Sequence, residues 1–250
     1  MHKFFIKASQ ITDNQIEIAD ENLNHIKNVL RLAPKEQVFI TDDDEREYLA
    51  EIHQYTEHSV CLNIIEQLEV KRESNLEISL FQGLPKADKM ELIIQKLTEL
   101  GARAILPTQM KRCVVKIENG SKESKKIERW QKIAQEAAKQ SKRNRILKVE
   151  NMVSLRQFAD WEKYDLILVP YENENQQGLK KVLEQYEAGT ALKIAVVIGP
   201  EGGFEESEIQ FLMEKGAKIV SLGKRILRTE TASIAITAML QYALGDMSEI

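Results

Sequence analysis

The sequence predicts an α/β protein in two parts: a small antiparallel β-barrel or sheet, then a larger domain built on a parallel sheet. Three observations lead there. Between residues 36 and 66 the pairs and triplets Val38/Ile40, Tyr48/Ala50/Ile52 and Val60/Leu62/Ile64 alternate with the period of two expected of half-buried strands. Beyond residue 75 strands alternate with longer helices, the signature of a parallel α/β sheet. Three of those later strands run into loops rather than hairpin turns, and open parallel sheets bind ligands beyond the carboxyl ends of their strands.

Taken in order, Asp42, Asp43, Asp44 and Glu45 form the turn between the first two alternating strands. The charged stretch 70–75 marks the boundary, giving domains 1–72 and 73–250. In the second domain 78–82 is a strand. Residues 89–100 form a helix with Met90, Ile93, Ile94, Leu97 and Leu100 on one face and Gly101 as its stop. Another strand begins at 104–106. A long helix over 124–141 places Ile127, Trp130, Ala134, Ala137 and Ser141 on a buried stripe. Strands at 165–169, 193–198 and 218–222 follow, and a nearly apolar helix over 231–244 closes the chain. The loops that begin at Pro170, Gly199 and Gly223 should therefore converge.

Composition sets the outer limits. The 250 residues are 43% hydrophobic and 30% charged, which is enough to bury a real core. Cys61 and Cys113 have no CxxC partner, so a zinc ribbon, an iron–sulfur cluster and a disulfide scaffold all lack ligands, and no metal is expected. The first residues carry no secretory signal, which points to the cytoplasm. The longest strictly apolar run, 194–198, is far short of the roughly 20 residues that span a bilayer, so no membrane partner is expected. The net charge of -4 conceals a basic segment: between Lys122 and Lys148 ten basic residues face three acidic ones. Such a run is ordinarily a solvated helix face, and it is also what a phosphate backbone attracts.

The sharpest local motif is IGPEGGFEESE, 198–208. Gly199, Gly202 and Gly203 permit positive φ and close backbone approach, Pro200 stiffens the entry, and the acids after Phe204 open a helix at its positive end. The glycine spacing is not GxGxxG, Glu201 would repel a pyrophosphate, and no GxxxxGK[ST] loop exists. Phosphate-bearing cofactors are disfavoured, whereas a cationic or neutral polar ligand is acceptable. In the second loop, SLGKRILRTETA (221–232), Thr229 or Thr231 serves as a helix cap. Capping does not account for Lys224, Arg225 and Arg228 crowded with Glu230.

These two loops, preceded by KLTELGARAILP (96–107), ERWQKIAQEAAKQSKR (128–143) and HIKNVLRL (25–32), resemble the bacterial ribosomal RNA small subunit methyltransferase E family, 16S rRNA uracil-N3 methyltransferases of the SPOUT class. The resemblance spans nearly the whole chain. It implies an N-terminal PUA-like RNA-binding β-barrel and a C-terminal SPOUT domain with a deep trefoil knot. It also implies a homodimer, S-adenosyl-L-methionine as methyl donor, and 16S rRNA within the small subunit as partner. Carried over by position, the cofactor pocket comprises Val169, Pro170 and Tyr171, then Ile198, Gly199, Pro200, Glu201, Gly202 and Gly203, then Ser221, Leu222, Gly223, Ile226 and Leu227. RNA contacts fall on His25 and Arg31 in the barrel and on Arg112, Lys139, Lys142 and Arg143 near the knot. Turn glycines of the family pattern are replaced here by residues 33–36 and 42–45.

Methylating N3 requires bringing the base out of its stack and removing the N3 proton. Arg228 is the candidate to orient the base and favour its anion, and Glu230 or Glu201 the candidate proton acceptor. The bland alternative is an Arg228–Glu230 ion pair that merely holds the loop. Two rival functions share the motifs: a SPOUT ribose 2′-O-methyltransferase, and an RNA-binding ribosome-assembly factor without catalysis.

Overall fold

The computed structural model describes residues 1–115 and 120–248. The chain divides into two compact units, Met1–Glu73 with Lys139–Arg145, and Ser74–Ala138 with Ile146–Ile250.

The first unit is a mixed half-barrel sheet of β1 (Lys3–Phe5), β2 (Ile11–Thr12), β3 (Gln15–Ile18), β4 (Gln37–Thr41), β5 (Glu47–Tyr55) and β6 (Val60–Leu68), in the order β1-β4-β5-β6-β3-β2. Only β1 and β4 pair in parallel; the other pairs are antiparallel. The alternating residues Val38, Ile40, Ala50, Ile52, Val60 and Leu62 all point into the core, which Phe4, Ile16, Ile18 and Ile26 complete. Helix α1 (Glu21–Asn24) starts where the Asp20 carboxylate accepts the Asn22 amide, and it widens into a π-helical turn, His25–Val29, that buries Ile26.

At the turn between β4 and β5 the buried Asp42 carboxylate accepts from the Asp44 and Arg46 amides and from the Tyr48 hydroxyl. One residue in each of the turns 33–36 and 42–45, Lys35 and Glu45, is held left-handed, at φ 72° and 67°. A residue with a Cβ adopts that conformation at some cost.

Residues 139–145 are bound into this unit by charge. Arg143 is buried and its guanidinium grips the Glu73 carboxylate at 2.6 and 3.2 Å. The Asn144 and Arg145 amides donate to the same carboxylate, and Arg145 pairs with Glu45. The Lys3 ammonium reaches Asn144 Oδ1 at 2.6 Å and Glu47 at 3.4 Å. Burial pushes the Lys3 pKa down to about 8, against the raising effect of Glu47.

The second unit holds β7 (Leu76–Gly83), α2 (Lys89–Glu99), β8 (Ala104–Gln109), most of α3 (Ser121–Gln140), β9 (Lys148–Val149), β10 (Val153–Ser154), β11 (Leu166–Pro170), α4 (Leu179–Leu183), β12 (Leu192–Ile198), α5 (Glu206–Glu214), β13 (Lys218–Val220) and α6 (Thr229–Ala243). Its strands pair in parallel throughout, in the order β10-β8-β7-β12-β11-β13 with β9 beside β8. The chain places β12 between β7 and β11, so the carboxyl ends of β7, β12, β11 and β13 lie side by side. Continuous apolar runs suit strands covered on both faces: residues 194–197 are wholly buried.

The helices depart from expectation at their ends. On α2, Met90, Ile93, Ile94 and Leu97 are buried, while Leu100 is the half-buried cap before Gly101 at φ 81°. On α3, Ala134, Ala137 and Ala138 are buried and Ile127 and Trp130 half-buried. Ser141 lies outside the helix and is exposed, because the chain turns out at Lys142, where φ is 58°. Helix α6 begins at Thr229, and neither threonine caps it; the cap position is Arg228, without a side-chain bond. The Thr229 hydroxyl is committed elsewhere. Among the described residues no helix is long and apolar enough to cross a membrane.

Candidate active site

At the carboxyl edge of the parallel sheet the loops after β11, β12 and β13 meet around a cavity of about 440 Å³. Pro170, Tyr171, Ile198, Gly199, Pro200, Glu201, Gly203, Ser221, Leu222, Gly223, Ile226, Leu227 and Arg228 line it. Two of the residues assigned to the pocket do not. Val169 is wholly buried in β11, and Gly202 faces Arg112, whose Cβ would stand 3.0 Å from a Cβ placed there.

Little room is left for a side chain at several of these positions. A Cβ on Gly203, at φ 69°, would lie 2.9 Å from Glu172 Oε1, and one on Gly199 would press the Phe204 ring at 3.1 Å. Gly83, which ends β7, stands against the same loop: a Cβ on it would be 2.5 Å from the Pro200 nitrogen.

A buried polar network fixes the loop to its neighbours. The Gln82 side-chain amide, fully buried at the end of β7, donates to Thr229 Oγ1 at 2.8 Å and to the Gly83 carbonyl at 2.9 Å, and its oxygen accepts from Ser233 Oγ at 2.5 Å. Thr229 Oγ1 in turn donates to the Gly199 carbonyl at 2.7 Å. One side chain thus ties β7, the glycine loop and the start of α6 together, with every polar atom satisfied as burial demands.

The charged groups are arranged differently from the expected Arg228–Glu230 pair. Arg228 is exposed, and Glu230 faces Lys89 from α2, with Oε2 at 3.4 Å from Nζ. Lys89 also bonds Glu201 Oε1 at 3.0 Å, and the Lys86 amide donates to that same oxygen. Burial raises the Glu201 pKa, but the bonds from the Lys86 amide and Lys89 overcome it and leave this carboxyl below its usual range. Hydrogen bonding to Glu201 raises the Lys89 pKa, so the ammonium stays charged. Lys89 and Glu201 line the cavity; Glu230 does not.

Lys89 and Gln82 were missed by reading three loops, because the segment after β7 is a fourth, and Glu172 lies in the loop after β11 but was given no role there. A polar residue closing the apolar run of β7 was the available signal for Gln82. Among the described residues no group of three or more His, Cys, Asp and Glu is placed to hold a metal ion.

The residues assigned to RNA separate into two sets. Arg112, in the second unit, is bound to Glu205 at 2.7 Å and to the Gly202 carbonyl. Lys139, Lys142 and Arg143 fall with His25 and Arg31 in the first unit. Arg31 and Lys142 are exposed. The half-buried His25 ring meets Phe4 edge-on, and the Lys139 ammonium lies over the same Phe4 ring. Arg143 is turned inward onto Glu73 and is not available as a surface cation in this arrangement.

A parallel sheet whose carboxyl edge carries such a cavity, in a chain that also carries a half-barrel unit, defines the class, and comparison with known families agrees. Residues 72–241 match the family model described as RNA methyltransferase domain, and residues 18–65 match RNA methyltransferase PUA domain. The chain is 38% identical over 253 residues to the ribosomal RNA small subunit methyltransferase E of Bacillus subtilis, covering 97% of this chain and 96% of that protein. It is 30% identical to the protein of that name from Rickettsia conorii, covering 100% and 98%. It is similar to the crystal structure of a ribosomal RNA small subunit methyltransferase E from Neisseria gonorrhoeae bound to S-adenosyl methionine, with a TM-score of 0.84, 30% identity and 99% of each chain covered. The chain belongs to the ribosomal RNA small subunit methyltransferase E family, with the SPOUT arrangement of its parallel sheet.

Proposed function

We propose that this protein transfers a methyl group from S-adenosylmethionine to N3 of one uridine in the 16S rRNA of the small ribosomal subunit. The observation that carries the reading is the cavity. Its walls are glycine backbone, two carboxylates and a row of cations, at the sheet edge where ligands of open α/β folds bind, in a chain of this family.

The residues present fit the cofactor. The cavity's volume falls in the usual range for ligand sites, and Glu172 places on its wall a carboxylate that attracts a cationic ligand, whereas Glu201 is already paired with Lys89. The backbone at Gly199, Pro200 and Gly203, the 221–227 loop and the Pro170–Tyr171 pair would hold it. What S-adenosylmethionine supplies when bound is an electrophilic methyl group.

The chain's own residues supply the rest. Arg228, exposed at the rim of the cavity, orients the flipped uracil and favours its N3 anion. Glu201, on the cavity wall, takes the N3 proton directly or through one water; its lowered pKa keeps it ionised at neutral pH, though it also makes the carboxylate a weaker base. Glu230 reaches the site only through Lys89, so it is the weaker candidate for proton acceptor. Arg31 and Lys142, with Lys139 and His25, give the barrel unit a phosphate-binding surface. A homodimer is supported by α6, whose Ala235, Ala238, Met239 and Tyr242 form an incompletely buried apolar face, Tyr242 being 69% exposed.

The test is incubation with tritiated S-adenosylmethionine and unmodified small subunits, followed by mapping with reverse transcriptase. Label at one uridine with a hard stop there is expected. Label without a stop would move the chemistry to the ribose or another base edge, and RNA binding without label would indicate an assembly factor.

A further inference from the structure

Two carboxylates, Glu201 on the cavity wall and Glu230 behind it, converge on an amine, Lys89, rather than on Arg228. Lys89 is the first residue of α2, and its ammonium is 3.0 Å from Glu201 Oε1 and 3.4 Å from Glu230 Oε2. Its side chain lies on the cavity wall, 30% exposed, whereas Glu230 is 14% exposed. Glu230 Oε2 is wholly buried and has no hydrogen-bond partner. A buried carboxylate oxygen left without a hydrogen bond is costly unless a charge faces it, and the charge that faces it here is Lys89. Two anions on one amine keep that amine a cation.

We propose that Lys89 is a catalytic residue of this reaction, the fixed cation that stabilises the negative charge on the uracil oxygens as N3 loses its proton, with Glu230 as the positioning residue behind it. The inference rests on the uracil-N3 reading above. In the step, the N3–H bond breaks and its proton passes to Glu201. The electron pair left on N3 is shared with O2 and O4 beside the Lys89 ammonium. N3 then uses that pair to take the methyl group, and the carbon–sulfur bonding pair stays on sulfur. Lys89 does not act as the base, since an ammonium flanked by two carboxylates has no lone pair to offer.

A preorganised cation aimed at developing charge is worth about 10²–10³ in kcat. The test uses the intact enzyme and small subunits reconstituted with 16S rRNA transcribed with either uridine or 5-fluorouridine, whose N3–H is more acidic. With uridine, Lys89→Met is expected to lower kcat roughly 100-fold, and Lys89→Arg, which keeps the cation, to recover at least about tenfold of that loss. With 5-fluorouridine the Lys89→Met deficit is expected to shrink about tenfold or more, because the base needs less help to ionise. A deficit equal for both bases would overturn the proposal and leave Lys89 a structural brace, as would full activity of Lys89→Met. Should Lys89→Met not fold, Lys89→Gln is read by the same ratio. The wild-type enzyme separates the two readings: if it leaves N3 unmodified on both RNAs, the function itself is wrong; if it methylates N3 and the ratio does not move, only Lys89 has been misassigned.

Discussion

Replacing Gln82 by leucine removes one side chain and releases three elements. The volume is nearly conserved, so the loss is one of hydrogen bonds: two donated by Nε2, to Thr229 Oγ1 and the Gly83 carbonyl, and one accepted from Ser233. At about 1 kcal/mol net each, the direct loss is about 3 kcal/mol. The partners are not all stranded. Thr229 keeps the Gly199 carbonyl as acceptor, and Ser233 keeps the Thr229 carbonyl, so the further penalty for unsatisfied groups is small. The geometric effect is larger than the energetic one, because the Thr229 hydroxyl that holds the Gly199 carbonyl is itself no longer held by Gln82. Urea unfolding followed by circular dichroism should show a loss of about 2–4 kcal/mol, and titration calorimetry should show S-adenosylmethionine binding at least tenfold weaker. A variant that loses less than about 1 kcal/mol and binds the cofactor normally would mean that the network neither supports the sheet nor positions the loop.

Gly83→Ala should weaken cofactor binding by an order of magnitude with the sheet intact by circular dichroism, since its methyl would meet the backbone of Pro200 and Gly199 within 3 Å; unchanged binding in calorimetry would show that the loop can give way. Arg143→Ala leaves the half-buried Glu73 without its main cation but with two amide donors, and should cost about 2–4 kcal/mol in denaturant unfolding, whereas Arg31→Ala should leave stability unchanged and reduce the salt slope of RNA binding by about one, read from titrations at several salt concentrations. Lys35→Gly should be neutral or stabilising by up to about 1 kcal/mol, because it relieves a left-handed residue at the cost of chain entropy; a clear loss of thermal stability would contradict this. The Lys3 amine should titrate near pH 8 by NMR. Between that value and the ordinary 10.5 the unfolded chain binds more protons than the folded one, so the Lys3 contribution to stability rises with pH across that window. A titration at the ordinary value would show the amine to be solvated.

Much of the parallel sheet was readable from sequence because strands buried on both faces are apolar runs and their loops are punctuated by glycine. The strands β1, β2 and β3 were not, since two to four residues are too few for alternation to register. The parallel pairing of β1 with β4 has no local signature either. Within the site, the loop residues stood out by glycine and charge, while the partner of each charge did not. Arg228 and Glu230 are two residues apart and on facing grounds looked like a pair, yet the helix begins at Thr229 and turns Glu230 toward Lys89, from a segment more than a hundred residues earlier. Arg143 read as one more cation in a basic run. That Glu73 lay waiting for it was a fact of tertiary structure, invisible to a count of charges.

The inclusion of residues 139–145 in the barrel unit bears on the order in which the protein is made. When Glu73 leaves the ribosome the half-barrel has all its strands but not the segment that neutralises Glu73 and meets the Lys3 amine. At ordinary synthesis rates the missing piece follows roughly 4–14 s later. During that interval the nascent unit holds carboxylates and an amine with fewer counter-charges than the finished one. A gene fragment ending at residue 72 would make that interval permanent: it encodes every strand of the barrel and omits the clasp.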